Sequence, residues 1–317
     1  MQGQWVREST NATTIVFVHG VLSSGDTCWK NENGNTWPGL LMNNIDLADI
    51  GIYVFTYQTG FFSGTYSLSN VVDALKEWLK LDGIYEQRRI IFVCHSMGGI
   101  VVRKFIVERV NDLIDRNIEI GLFLVASPSL GAEYANWLSP LAKLLDHSQA
   151  EALRFAQSNT WLNDLDKEFQ NLKESGRLKI KGKELIEDKF VISKSLFVVF
   201  RWKQLVEPFS GARYFGEPFK VPQSDHFSIA KPDNEKAIQH RILCQFIKEA
   251  LKPAPLEAAE IMQIVRELNR QIQNKPEDRL QIIQIFYSKY VNERKGEVAD
   301  LILTIKSMVT TTPANNS

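Results

Sequence analysis

Apolar residues along the chain fall into two rhythms. Short continuous runs rich in β-branched and aromatic side chains occur at 14–18 (TIVFV), 51–57 (GIYVFTY), 90–93 (IIFV) and 120–126 (IGLFLVA). Each predicts a strand buried on both faces. Between them the spacing is helical. Residues 70–80 put Val71, Leu75, Trp78 and Leu79 on one side of a helix, and 100–107 suits a helix laid on a sheet. Residues 235–251 repeat the pattern with Ile238, Ile242, Phe246 and Ile247 inward. Strands alternating with helices predict an α/β fold with a mostly parallel sheet flanked by helices. Residues 132–175 are amphipathic with no strand among them. They read as a helical cap insertion over the sheet edge, although helices that only support the sheet fit the same pattern. Residues 176–204 hold strand-like pieces, KELIE and SLFVVF, without clear turns.

After a Pro-containing linker at 252–255 come three further amphipathic segments. The first carries Ile261, Val265, Leu268 and Ile272, the second Leu280, Ile283 and Phe286, and the third Val298, Leu301, Ile302 and Ile305. The expected organisation is a large domain over 1–252, a small C-terminal helical bundle over 256–309 and a disordered tail over 310–317. The bundle carries no catalytic constellation and reads as a protein-interaction or self-association module, or as a helical extension docked on the larger domain.

Composition narrows the function classes. The 317 residues hold 37 basic and 37 acidic side chains, so no basic face recommends a nucleic-acid partner. Three cysteines (Cys28, Cys94, Cys244) do not make a disulfide framework, and a reducing setting is expected. The opening MQGQWVREST lacks the charged-then-apolar pattern of a signal peptide, and no apolar run reaches membrane-spanning length. A cytoplasmic protein is expected, with peripheral membrane contact left open. The spacing of His and Cys matches no zinc pattern, so neither metal nor cofactor is expected.

The chemistry concentrates at 94–99, CHSMGG, between the predicted strand 90–93 and the helix after it. A serine at the apex of so sharp a turn needs small residues two places before and two after it, because the chain arms pass close together. Cys94 and Gly98 occupy those places around Ser96, giving G-x-S-x-G with cysteine for the first glycine. The turn lifts the serine hydroxyl above the sheet edge and aims a helix N-terminus at it. Upstream, the strand 14–18 stops at His19-Gly20 and opens into a loop of small residues. Such a loop can turn a backbone N–H toward the sheet edge, so the N–H groups of Val21 and Met97 are the expected oxyanion donors.

A serine needs a base, and the base needs a carboxylate. His226 lies on a loop before the helix 235–251, and Glu207 follows an apolar run and precedes proline, giving the order Ser, acid, His. Glu187 or Asp188 fits the same role if the acid follows the preceding strand. Asp225 adjoins His226, and sequence neighbours seldom point at each other. His95 reads as a buried packing residue, His19 as a brace for its loop, and His147 and His240 as surface residues.

With these residues in place, the sequence resembles the α/β-hydrolase superfamily, and within it a lipase-like branch that includes GPI inositol-deacylase-like and serine-active-site-containing proteins. The resemblance rests on VHGVLSSG (18–25), CHSMGGIVVRKF (94–105), LFLVASPSLGA (122–132), VEPFSGARYFG (206–216) and SDHFSIAKP (224–232), and covers about residues 10–252. It implies an α/β-hydrolase fold, Ser96 as nucleophile, His226 as base, an acid near Glu207, and Val21 and Met97 as oxyanion donors. Cys94 departs from the usual glycine, and the match weakens over 176–204, where the acid is in question. The expected activity is hydrolysis of carboxylic esters, acyl or lipid-like. A thioesterase, a peptidase and a non-catalytic scaffold acting through the C-terminal module are the alternatives.

Overall fold

The computed structural model describes residues 2–20, 25–57, 68–127, 159–188, 214–252 and 258–292, with 302, 303 and 306. The expectations for Val21, Glu207, His147, residues 132–158, the SLFVVF piece and the tail 310–317 lie outside them. Within them the chain divides into two units, residues 1–249 and 250–317.

The first unit is built on a seven-stranded sheet: β1 (Gln2–Arg7), β2 (Thr13–Val18), β3 (Gly51–Thr56), β4 (Arg89–His95), β5 (Glu119–Val125), β6 (Ile180–Glu187) and β7 (Phe219–Val221). Their lateral order is β1-β3-β2-β4-β5-β6-β7. Only the β1–β3 pair is antiparallel; the other described pairs are parallel. The four strands expected from apolar runs occupy the middle, where both faces are covered and polar residues would lose water without a partner. β1 and β7 lie at the edges.

Side chains alternate across the sheet. Val16 and Val18 of β2, Ile90, Phe92 and Cys94 of β4, and Ile120, Leu122 and Leu124 of β5 join one core. This core is completed by α3 (Leu68–Leu81), α4 (Gly98–Glu108) and α6 (Asn159–Ser175), through Leu75, Ile100, Phe105, Leu162 and Phe169 among others. On the opposite face Phe17 meets Trp29 edge-on after α1 (Gly25–Cys28), and Phe123 meets Trp37 of α2 (Trp37–Met42) and Phe246 of α7 (Ile238–Leu251). A short helix, α5 (Val110–Asp115), follows α4. Helix α7 is rotated relative to the expected face. His240, Leu243, Phe246, Ile247 and Ala250 are buried, while Ile238 is exposed. Its inward stripe starts at Gln239 and His240, so His240 is a core residue and not a surface one.

Helix α6, the described end of the 132–175 stretch, lies against α4. Arg103 of α4 is fully buried and joins the two. Its Nη1 donates to Asp166 Oδ1 and lies against the Tyr214 hydroxyl, and its Nε donates to the Gly99 carbonyl at 3.1 Å. The Tyr214 and Phe215 N–H groups in turn donate to Glu184 of β6, at 2.8 and 3.2 Å. This polar cluster fastens α4, α6 and β6 to one another.

The second unit contains α8 (Ala258–Asn274) and α9 (Arg279–Asn292). Ile264, Leu268, Ile282, Ile283, Phe286 and Ile302 form its own core. Leu280, one of the apolar positions of the second segment, is exposed. No described helix is long and apolar enough to cross a membrane.

Candidate active site

Strand β4 ends at His95 and α4 begins at Gly98, so the chain reverses within two residues. Ser96 takes up the bend with φ +55°, a left-handed conformation that a non-glycine residue rarely adopts. The bend is held from both sides. The Ser96 N–H donates to Val125 O at 3.0 Å, and the Gly99 N–H donates to Ser96 O at 3.1 Å. Met97 is the N-cap of α4, so its N–H belongs to the helix end that carries positive charge.

The elbow needs glycine where the expectation placed it. A Cβ on Gly98 would stand 2.2 Å from the Val18 carbonyl oxygen and 2.8 Å from that of His19. A Cβ on Gly20 would stand 2.5 Å from Ser96 Cβ and 2.9 Å from its Oγ. The end of β2 therefore passes directly beside the serine. Cys94, at the place of the usual first glycine, is fully buried in the core on the α3 and α4 face, and burial pushes its thiol pKa up. Ser96 Oγ is itself buried and makes no hydrogen bond among the described residues.

His226 sits on the loop between β7 and a short 3-10 turn at Ser228–Ala230, and is buried. The last pair in the β6–β7 ladder sets Glu187 beside Val221. The loop after Val221 then folds back, so that His226 Nδ1 stands 3.4 Å from Glu187 Oε1. The two other nearby carboxylates have different engagements. Asp225 Oδ1 accepts from the N–H groups of Phe227 and Ser228 at 2.9 and 2.7 Å, which makes it a turn-forming residue of its own loop. Asp188 Oδ2 accepts from the Gln223 N–H at 3.1 Å, and the Asp188 N–H donates to Ser224 O at 3.1 Å. Of the acids weighed from sequence, Glu187 is the described one that faces His226.

Two further histidines frame the site. His19 stacks on Tyr57, with ring centroids 4.4 Å apart. The Tyr57 N–H donates to its Nε2 at 3.1 Å, so the proton is on Nδ1, which lies 2.7 Å from Gly20 O. Burial pushes the His19 pKa down and keeps the ring neutral. His19 thus ties the end of β2 to Tyr57; the loop it is expected to brace, 21–24, lies outside the described residues. His95 is also buried. Its Nε2 is 2.7 Å from the His226 carbonyl oxygen and its Nδ1 is 3.4 Å from the Cys28 sulfur. Burial, with His226 next to it, pushes its pKa well below the usual range. Among the described residues no three His, Cys, Asp or Glu side chains converge as metal donors.

Comparison with known proteins agrees with this architecture. The model of the alpha/beta hydrolase family matches residues 15–230, and the chain belongs to that family. It is a hydrolase by fold. A curated relative, protein SERAC1 of Danio rerio, is 24% identical over 267 residues, covering 75% of this chain and 39% of the relative. The chain thus spans well under half the length of that protein. Solved structures similar to it include a lipase-esterase related protein from Clostridium acetobutylicum (12% identity, 79% of this chain and 99% of the other, TM-score 0.44). Another is phospholipase PlaB from Legionella pneumophila (18% identity, 56% of this chain and 40% of the other, TM-score 0.42).

Proposed function

We propose that the chain is a serine hydrolase of carboxylic esters, with Ser96 as nucleophile, His226 as base and Glu187 as the acid. The observation that carries this reading is the meeting of three chain segments. Ser96 stands at a left-handed bend, the loop of His226 is hydrogen-bonded to the residue beside it, and Glu187 faces the imidazole from the end of β6.

The chemistry follows from that order. His226 Nε2 takes the Ser96 Oγ proton as the oxygen attacks the ester carbonyl carbon. Glu187, at Nδ1, fixes the tautomer and stabilises the imidazolium. The oxyanion is held by the Met97 N–H and by a second N–H from the loop after Gly20, which the sequence assigns to Val21. Collapse breaks the ester C–O bond, and His226 returns its proton to the departing alkoxide. Water, deprotonated by the same nitrogen, then attacks the acyl-enzyme; the acyl C–O bond to Ser96 breaks, His226 returns the proton to Ser96 Oγ, and the carboxylic acid leaves. No cofactor enters this cycle. Acyl or lipid-like esters are the substrates suggested by the lipase-like motifs.

The test is intact mass after a fluorophosphonate probe. One adduct on the wild type, mapped to Ser96 and absent from Ser96→Ala, is expected. Glu187→Gln should lower kcat ~10²–10⁴-fold, as loss of a triad acid does elsewhere. Glu207→Gln should leave kcat within about threefold on the same reasoning. The reverse ranking would return the acid to Glu207, and absence of any adduct on folded protein would remove the nucleophile.

A further inference from the structure

His95 is the residue beside the serine, and a residue that merely fills space there would need no polar atoms. Both of its ring nitrogens are engaged. The partner at Nε2 is a carbonyl oxygen, which only accepts, so the proton is on Nε2 and the donor is His95. Nδ1 is then the acceptor, and the Cys28 thiol, 3.4 Å away, is its donor. The His95 and His226 rings also lie 4.9 Å apart, and Trp29 meets the His95 ring edge-on at 6.3 Å. One imidazole thereby joins α1 and Trp29, which follow the Gly20 loop, to the elbow and to the base loop.

We infer that His95 is a positioning residue: a neutral Nε2–H donor, its tautomer fixed by the carbonyl it faces, that locates the His226 imidazole by holding that residue's main-chain carbonyl. Glu187 sets the direction of the ring, and His95 sets where the ring stands. This division follows from the short ladder behind His226. Strand β7 has three residues, and the loop carrying the base needs a second anchor at its far end. The inference rests on the triad reading for its catalytic meaning, but the hydrogen bonds themselves can be tested without turnover.

The kinetic arm compares His95→Leu with His95→Gln, whose amide nitrogen reaches the position of the imidazole Nε2. His95→Leu should lower kcat ~10–100-fold with KM within about twofold, the range expected for a misplaced catalytic group. His95→Gln should restore kcat to within about threefold of wild type. Equal losses in both variants, or full activity in His95→Leu, would overturn the assignment. The spectroscopic arm uses 15N-histidine-labelled Ser96→Ala protein. One ring should show the Nε2–H tautomer, unchanged from pH 8 to pH 5 and absent from the His95→Gln spectrum. A protonated or Nδ1–H form of the ring whose signal His95→Gln removes would refute the inference. If Ser96→Ala were as active as wild type, the triad reading would fail, while the NMR arm would still decide whether His95 holds His226.

Discussion

Replacing Arg103 with methionine removes a charge from a place water does not reach. The guanidinium is fully buried, and its partner Asp166 is 2% exposed. The variant keeps much of the apolar stem but takes the counter-ion from Asp166, the donor from Gly99 O and the cation from the Tyr214 ring, whose centroid lies 4.9 Å from the Arg103 guanidinium carbon. Breaking a buried pair from one side costs about 3–5 kcal/mol, because the remaining charge keeps its desolvation penalty and loses its compensation. At about 1.4 kcal/mol per factor of ten, that is roughly a 10²- to 10⁴-fold shift in the unfolding equilibrium. Replacing both partners, Arg103→Met with Asp166→Leu, removes the stranded charge and should recover at least about 2 kcal/mol of the loss. Urea unfolding followed by tryptophan fluorescence reads this in the right part of the chain, since all seven tryptophans precede residue 250, where the second unit begins. A single-variant loss below about 1 kcal/mol, or single losses that simply add in the double variant, would refute the reasoning.

Gly20→Ala places a methyl 2.5 Å from Ser96 Cβ, so fluorophosphonate labelling should slow by more than about 10²-fold while the far-ultraviolet circular dichroism stays unchanged; labelling at the wild-type rate would contradict the close approach. His19 and His95 are held neutral when folded, so below pH ~6.5 the unfolded chain binds more protons than the native one. Stability is therefore complete above that value and falls as pH drops through it, by up to about 1.4 kcal/mol per pH unit for each ring. Urea midpoints at pH 7.5 and 5.5 check this, and an unchanged pH slope in His95→Gln would exclude a contribution from His95. Tyr57→Phe deletes a buried hydroxyl that donates to His19 O at 2.7 Å and should lower stability by about 1–2 kcal/mol in the same assay.

The centre of the sheet is legible in the sequence because strands buried on both faces must be continuously apolar. The elbow is legible because its geometry dictates small residues at fixed offsets from Ser96. Edge elements are less so. β1, QGQWVR, is largely half-exposed and has too few apolar positions to form a pattern. β7 spans FKV and is shorter than any window in which alternation can be read. The acid is the instructive case. Both Glu187 and Glu207 follow strand-like runs, and the proline after Glu207 favours it. What faces Glu187 to His226 is the lateral pairing of β6 with β7 and the turn bonds of Asp188 and Asp225, none of which leaves a local signal. His240 shows the same limit on a helix. A polar residue counts against burial until the rotation of α7 is known, and that rotation is set by Leu243, Phe246 and Ile247 against the sheet.

The sheet order also bears on how the molecule loses activity. β4, which delivers Ser96, has a strand on each side and pairs along its whole length with β5, whereas β7, which leads to His226, is a three-residue border strand with β6 as its one described neighbour. Amide exchange should accordingly be slowest in β4 and fastest around β7, where opening ruptures few backbone bonds. Opening of this edge and unfolding of the sheet should then be separate events. On warming, the His226 loop should open before the tryptophans report melting, and cooling should restore it without refolding the chain.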